Sequence, residues 1–136
     1  MTAHAHRQNQ STQSGTMWLL FVADAGLLVA SGLIHLHLWD IAYRHVKTLD
    51  VLFIVQAAAC ILAAIVLLVT RHILVVAGSA VLMAGTIVGF LLARTVGIFG
   101  FKLTFSSGLA YTVLIVEAAA VILLAATSWL LLRQRS

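Results

Sequence analysis

Hydrophobic positions form four long blocks that are separated by polar segments, and they do not alternate with polar positions along the chain. Mostly apolar runs cover residues 17–38, 49–69, 73–93 and 110–132. A membrane-spanning α-helix needs about 20 such residues, whereas a strand of a membrane barrel alternates over about 10. The pattern therefore predicts an all-α fold, an antiparallel bundle of four transmembrane helices.

Polar segments flank and connect these runs. Residues 1–16 predict a flexible, disordered tail, and residues 133–136 a short basic tail. The link at residues 71–72 is so short that the second and third helices must form an antiparallel hairpin. Glycines and phenylalanines in the link at residues 94–109 predict a segment packed on the helix ends. These are Gly97, Phe99, Gly100, Phe101, Phe105 and Gly108.

Composition supports a membrane environment. Apolar residues make up 62% of the chain and charged residues 9%, against about 25% charged in soluble domains. The net charge is +4, but the basic residues lie at the ends of the apolar runs and form no basic stripe, so nucleic acid is not an expected partner. The chain has one cysteine, Cys60, which excludes disulfide-exchange chemistry based on cysteine pairs.

The predicted topology places both termini on the same side of the membrane as Arg71. The basic residues are balanced between the two sides, so the positive-inside rule does not decide the orientation. The polar N-terminal tail and the Arg133–Arg135 tail are typical of a cytoplasmic side. We therefore expect a multi-pass protein of the cell membrane with cytoplasmic N- and C-termini.

Polar residues within the apolar runs are the first candidates for function, because they are costly in lipid. A rise of about 1.5 Å per residue places Gln56, Thr86 and Glu117 about 10 Å below the same face, and Ser31 and His35 bracket that depth. This polar layer could be a hydrogen-bonded clamp that fixes the helix register. It could instead be a small-ligand, ion or proton site built on Glu117 and His35, or a contact with a partner protein.

Asp24 lies about 10 Å from the opposite end of the first helix. A structural pairing on that side is one interpretation, and a proton or cation path from Asp24 to Glu117 is another. The candidate partners for the pairing are Arg71, His72, Thr127 and Arg133.

The histidines do not form a convincing metal or haem site. His35 and His37 point about 200° apart on a helix, and His4 and His6 lie in the polar tail. Haem ligation by two histidines would need a second histidine at the depth of His35, which the chain does not supply. We expect no metal and no cofactor.

The link after the first helix has a distinct chemistry. Asp40 and Arg44 are spaced i, i+4, which predicts a short helical extension, and Trp39 and Tyr43 are typical interface anchors. A solvated cap and a docking surface are both compatible with this segment. The docking residues would be His37, Trp39, Asp40, Tyr43 and Arg44.

Small residues predict close helix packing, because helices in lipid lack a hydrophobic force between them. They could serve ordinary bundle packing or an oligomer face. The candidate positions are Gly26, Ala30, Gly78, Gly85 and Gly89.

Two stretches, GLIHLHLWDIAYRHV and GIFGFKLTFSSGLAYTVLIVEAAA, resemble small four-pass bacterial integral membrane proteins. The resemblance implies a four-pass topology and no particular activity. Lys47 and Leu103 depart from the pattern, where a proline and an acidic residue would be expected. The positions that carry the resemblance are His35, His37, Trp39, Asp40, Tyr43, Arg44, Gly97, Gly100, Phe101 and Glu117.

The sequence shows no nucleophile or metal constellation, so a non-enzymatic role is expected. The first hypothesis is an accessory or structural subunit that associates with other membrane protein subunits or with itself. The alternative is a small transporter or proton- or ion-linked protein that uses Glu117 and His35. A haem- or quinone-linked redox subunit is a further, weaker alternative.

Overall fold

The computed structural model describes residues 2–103 and 108–136; Phe105 lies outside them. The prediction of four helices is confirmed, and each helix is long and apolar enough to cross a membrane. A five-residue π-helical segment continues the first helix. The elements are α1 (Thr2–Leu38), the π-helical segment (Trp39–Tyr43), α2 (Leu49–Thr70), α3 (Ile73–Thr95) and α4 (Gly108–Arg135).

The polar N-terminal segment is helical, so the expectation of a disordered tail is wrong. α1 runs without interruption from Thr2 into the apolar run. Ser11 and Thr12 donate from their hydroxyls to the Gln8 carbonyl, and Thr16 donates to the Thr12 carbonyl. The segment lacks proline and continues an established helix, so it adds hydrogen bonds without the cost of nucleation.

The helices form a ring in which each contacts its neighbours in sequence. α1 packs closely against α2 and α4, α3 packs against α4, and the contact between α2 and α3 is the sparsest of the four. We call the end that carries the links after α1 and α3 the link end. The opposite end, with the Arg71–His72 turn and the C-terminus, is the terminal end.

The bundle has an apolar centre and an apolar surface. Leu28, Leu67, Met83 and Leu124 are fully buried between the helices. Many large apolar side chains point outward on all four helices, as expected where lipid rather than water surrounds the protein. They include Leu19, Val51, Leu62, Val69, Val81, Ile115 and Ile122, each more than half exposed.

The packing glycines differ from those predicted. A Cβ atom built on Gly26, Gly78, Gly85 or Gly89 would meet nothing within 4 Å, so none of these glycines permits a close helix contact within the bundle. The predicted partner of Gly26, Ala30, is half-buried. Sequence spacing identified pairs of small residues but not the face of the helix on which they lie.

Gly32, which was not predicted, is the glycine at the contact of α1 and α2. A Cβ atom there would lie 3.1 Å from the carbonyl oxygen of Ala57 and 3.2 Å from the Cβ atom of Cys60. The absence of a side chain therefore allows the two helix backbones to approach.

The described parts of the two long links pack against the link end of the bundle. In the π-helical segment the Arg44 amide donates to the Trp39 carbonyl at 2.8 Å, an i to i+5 bond that makes a wider turn than the α-helical i to i+4 bond. After α3, Ile98 and Phe101 exchange two backbone hydrogen bonds around Phe99 and Gly100, both with positive φ. Positive φ at both central residues is the signature of a type I′ turn.

Candidate functional site

A cavity of about 430 Å³ lies inside the link end of the bundle. All four helices and both long links contribute to its lining. Four of the five residues of the predicted polar layer face it, and its remaining walls are mostly apolar. The polar lining residues are His35, Gln56, Thr86 and Glu117; the apolar and aromatic ones include Leu38, Leu52, Phe53, Phe90, Ile98, Phe101 and Val113.

One side of the cavity floor is a buried polar cluster between α1 and α4. The Ser31 hydroxyl donates a long hydrogen bond of 3.4 Å to Glu117 Oε1. His35 Nε2 lies 3.5 Å from the same oxygen, within ion-pair range but beyond a strong hydrogen bond. Ser31 and Glu117 are fully buried and His35 is 6% exposed. We call these three residues the carboxyl cluster.

The geometry of the carboxyl cluster fixes where the histidine carries its hydrogen. His35 Nδ1 lies 2.9 Å from the Ser31 carbonyl oxygen, and a carbonyl can only accept, so Nδ1 must be the donor. Nε2 then faces Glu117 Oε1. A single proton between them gives either imidazolium with carboxylate or imidazole with carboxylic acid.

Glu117 has a second oxygen that the bundle leaves unpaired. Oε2 is buried and has no hydrogen-bond partner among the described residues. A buried acceptor without a partner costs free energy, about 1–3 kcal/mol. Glu117 is also one of the residues that line the cavity.

The other side of the floor is a hydrogen-bonded pair between α2 and α3. Gln56 Nε2 donates to the Thr86 hydroxyl at 2.6 Å and to the Cys60 sulfur at 3.4 Å. The Thr86 hydroxyl in turn donates to the Leu82 carbonyl at 2.8 Å. The predicted layer therefore divides into two groups, the carboxyl cluster and this Gln56–Thr86 pair. The pair joins α2 to α3, the two neighbouring helices with the sparsest contact.

Aromatic rings form one wall of the cavity. The Tyr43 ring stacks on Phe53 with centroids 4.5 Å apart and meets Phe101 edge-on at 6.0 Å. Phe53 also contacts the His35 ring at 5.4 Å. Tyr43 comes from the π-helical segment and Phe101 from the turn after α3, so both links help to close the cavity.

Asp24 is fully buried nearer the terminal end, and neither of its carboxyl oxygens has a hydrogen-bond partner among residues 2–103 and 108–136. Thr127 lies beside it, but the Thr127 hydroxyl donates to the Leu123 carbonyl. Of the four proposed partners, Thr127 is the one whose side chain interacts with this carboxyl in the described structure.

The predicted ion pairs of Asp24 are not formed. The Arg71 guanidinium lies 5.7 Å from the Trp18 ring centroid, and that of Arg133 lies 3.9 Å from the Trp129 ring centroid. His72 caps α3 by accepting from the Leu74 amide. Arg71 and Arg133 therefore lie over tryptophan rings, and His72 caps a helix, at the terminal end of the bundle.

An apolar layer separates Asp24 from the carboxyl cluster. Leu28 lies between Asp24 and Ser31 on α1, and Ala120 and Leu124 lie between Glu117 and Thr127 on α4. All three are fully buried in the core. Along α1 and α4 the described residues therefore form no continuous polar path from Asp24 to Glu117.

The residues predicted for docking have different environments. His37, Asp40 and Arg44 are exposed at the link end, and Arg44 pairs with Asp40 at 3.3 Å as the i, i+4 spacing predicts. Trp39 is half-buried, and Tyr43 belongs to the cavity wall rather than to an outer surface.

Metal-ligating side chains do not cluster in the described part of the chain, where no group of three or more His, Cys, Asp and Glu residues comes together. Comparisons with protein-family models, curated proteins and solved structures give no match.

Proposed function

We propose that this chain is an integral membrane protein that binds a small, largely apolar molecule in the cavity between its four helices. The His35–Glu117 pair would contact the polar part of that molecule. The observation that carries the proposal is the cavity itself, whose volume of about 430 Å³ falls within the range of small-ligand sites, about 300–1,000 Å³.

The cavity favours a binding site over a purely structural clamp. Protein interiors are close-packed, and voids much larger than a water molecule are few. If the polar layer only fixed the helix register, side chains filling the space beside it would add packing contacts and stabilise the bundle. Here the polar groups instead border open space, and the buried Oε2 of Glu117 is left unpaired.

The proposed orientation places both termini in the cytoplasm. The link end, and with it the cavity, would then lie in the outer half of the membrane. A ligand could reach it from the outer leaflet or from the outer aqueous phase without crossing the apolar layer around Leu28.

Filling the cavity tests the proposal. Gly89 lines the cavity, and a Cβ atom there would meet nothing within 4 Å, so Gly89→Phe can place a ring in the open space. We expect this variant to lose at least about tenfold in affinity for 1-naphthylmethanol, a neutral apolar probe, equivalent to about 1.4 kcal/mol. Calorimetry in lipid nanodiscs measures the affinity, with empty nanodiscs as the blank.

Gly85→Phe is the matched control. Gly85 lies one turn earlier on α3, is exposed, and does not line the cavity. Its variant carries the same added ring and should bind the probe like the wild type. Equal binding by both variants, or no binding by the wild type, would contradict the proposal.

A second candidate function is association with another membrane protein or with a second copy. Gly78 and Gly85 are both exposed on α3, seven residues apart on one face, with open space beside them. Such a face allows another helix to approach closely. Sizing of the protein from native membranes in mild detergent should then give a species larger than the monomer, and a monodisperse monomer without a co-purifying chain would count against this function.

A further inference from the structure

The cavity floor offers hydrogen-bond acceptors to a ligand rather than donors. The two hydrogens of Gln56 Nε2 are directed at Thr86 and Cys60. The hydroxyl of Thr86 is bonded within its own helix, and the hydroxyl of Ser31 is bonded to Glu117. His35 Nδ1–H is bonded to the Ser31 carbonyl. Each of these floor donors therefore already has a partner in the protein.

The acceptor that remains is Oε2 of Glu117. It stays an acceptor whichever way the pair with His35 shares its proton, because that proton lies on the side of Oε1. The described residues that line the cavity include no Lys or Arg. The floor donors named above and the described lining therefore offer an anionic ligand no unused hydrogen bond and no permanently charged cation.

The walls favour the same class of ligand. Tyr43, Phe53, Phe90 and Phe101 line the cavity, and aromatic faces attract cations as well as apolar rings. From these features we infer that the cavity binds an apolar molecule with a protonated amine, whose N–H donates to Oε2 of Glu117. This inference rests on the proposed function and names the class of its ligand.

Charge balance couples the binding of such a ligand to a proton. The His35–Glu117 pair is neutral overall while it holds the shared proton, and an additional cation would leave an uncompensated charge in the membrane. When the ammonium binds, the shared proton leaves, so that neutral His35, the Glu117 carboxylate and the ammonium again sum to zero. One cation enters for each proton released.

The surroundings of the His35–Glu117 pair support an exchange of one ammonium for one proton. The other titratable side chains near it are Cys60 on α2 and Tyr43 in the cavity wall. Among the described lining residues, α3 and the link that follows it contribute no titratable group. The proton that the ligand displaces is therefore the one shared by His35 and Glu117.

The test compares 1-naphthylmethylamine with 1-naphthylmethanol, which have the same ring and differ in the charged group. The amine should bind the wild-type protein in nanodiscs at least about tenfold more tightly, since hydrogen bonds to ionised groups are about twice as strong as neutral ones. Its affinity should rise with pH, by up to about tenfold per pH unit over the range in which the pair holds its shared proton, as expected when one proton is displaced. The affinity for the alcohol should change little over that range.

Glu117→Gln should remove the preference for the amine and retain binding of the alcohol. Should this variant fail to fold, the wild type alone decides through proton release, measured with an indicator dye in weak buffer: about one proton should appear for each amine bound. Binding of the alcohol without a preference for the amine, or of the amine without proton release, would overturn the inference and leave the proposed function standing. Failure of both probes to bind would overturn the proposed function as well.

Discussion

Gly32 shows at the level of single residues how the bundle is held together. It lies where α1 meets α2, and a side chain there would press on the Ala57 carbonyl, on Cys60 and on Ile61. We expect Gly32→Leu to force the two helices apart and to destabilise the bundle by about 1–3 kcal/mol, the usual cost of overpacking.

The only cysteine provides the measurement. Cys60 is fully buried, so a thiol-reactive dye labels it when the protein unfolds in detergent. The labelling temperature of Gly32→Leu should be lower than that of the wild type, whereas Gly26→Leu should behave like the wild type because Gly26 faces open space. Equal destabilisation of both variants would show that glycine itself, rather than the helix contact, matters.

The two buried carboxyl groups, of Glu117 and Asp24, have different surroundings. Ser31 and His35 lie beside one carboxyl oxygen of Glu117, and Glu117 is among the residues that line the cavity. Asp24, by contrast, is enclosed in the apolar core and has no hydrogen-bond partner in the described chain. A ligand can compensate the first carboxyl but has no cavity through which to reach the second. This difference is the reason that the binding proposal is built on Glu117.

At the level of elements, the sequence predicted what depends on length and depth. The four apolar runs correspond to the four helices, because about 20 apolar residues in succession have few alternatives. Counting the rise per residue also placed Gln56, Thr86 and Glu117 at one level. The same counting could not give helix rotation, and rotation determines that Glu117 meets Ser31 and His35 while Gln56 meets Thr86.

The links were less predictable, because their conformations depend on what they pack against. The i, i+4 spacing of Asp40 and Arg44 predicted a helical continuation, and the structure shows both that continuation and an ion pair between the two side chains. The spacing gave no sign that the continuation is π-helical, which places Tyr43 in the cavity wall. The turn at Phe99–Gly100 was expected only as a segment on the helix ends, and the structure shows that it supplies Ile98 and Phe101 to the cavity.

On the scale of the whole molecule, the two ends of the bundle have different characters. The terminal end carries Arg71 and Arg133 against tryptophan rings. The link end contains the cavity and the polar floor. In the proposed binding function the cavity would be reached from one side of the membrane, so the orientation would determine which molecules it can meet.

The proposed orientation can be tested with single cysteines. Cys60→Ala removes the buried native thiol, and Asn9→Cys and Lys47→Cys then place one thiol at either end, each at an exposed position. In intact cells a membrane-impermeant maleimide should label Lys47→Cys, because the link end faces outward, and should label Asn9→Cys only after permeabilisation. The Cys60→Ala background should remain unlabelled in both cases. Labelling of Asn9→Cys in intact cells instead would place the cavity in the cytoplasmic half of the membrane, where its amine ligand would have to come from inside the cell.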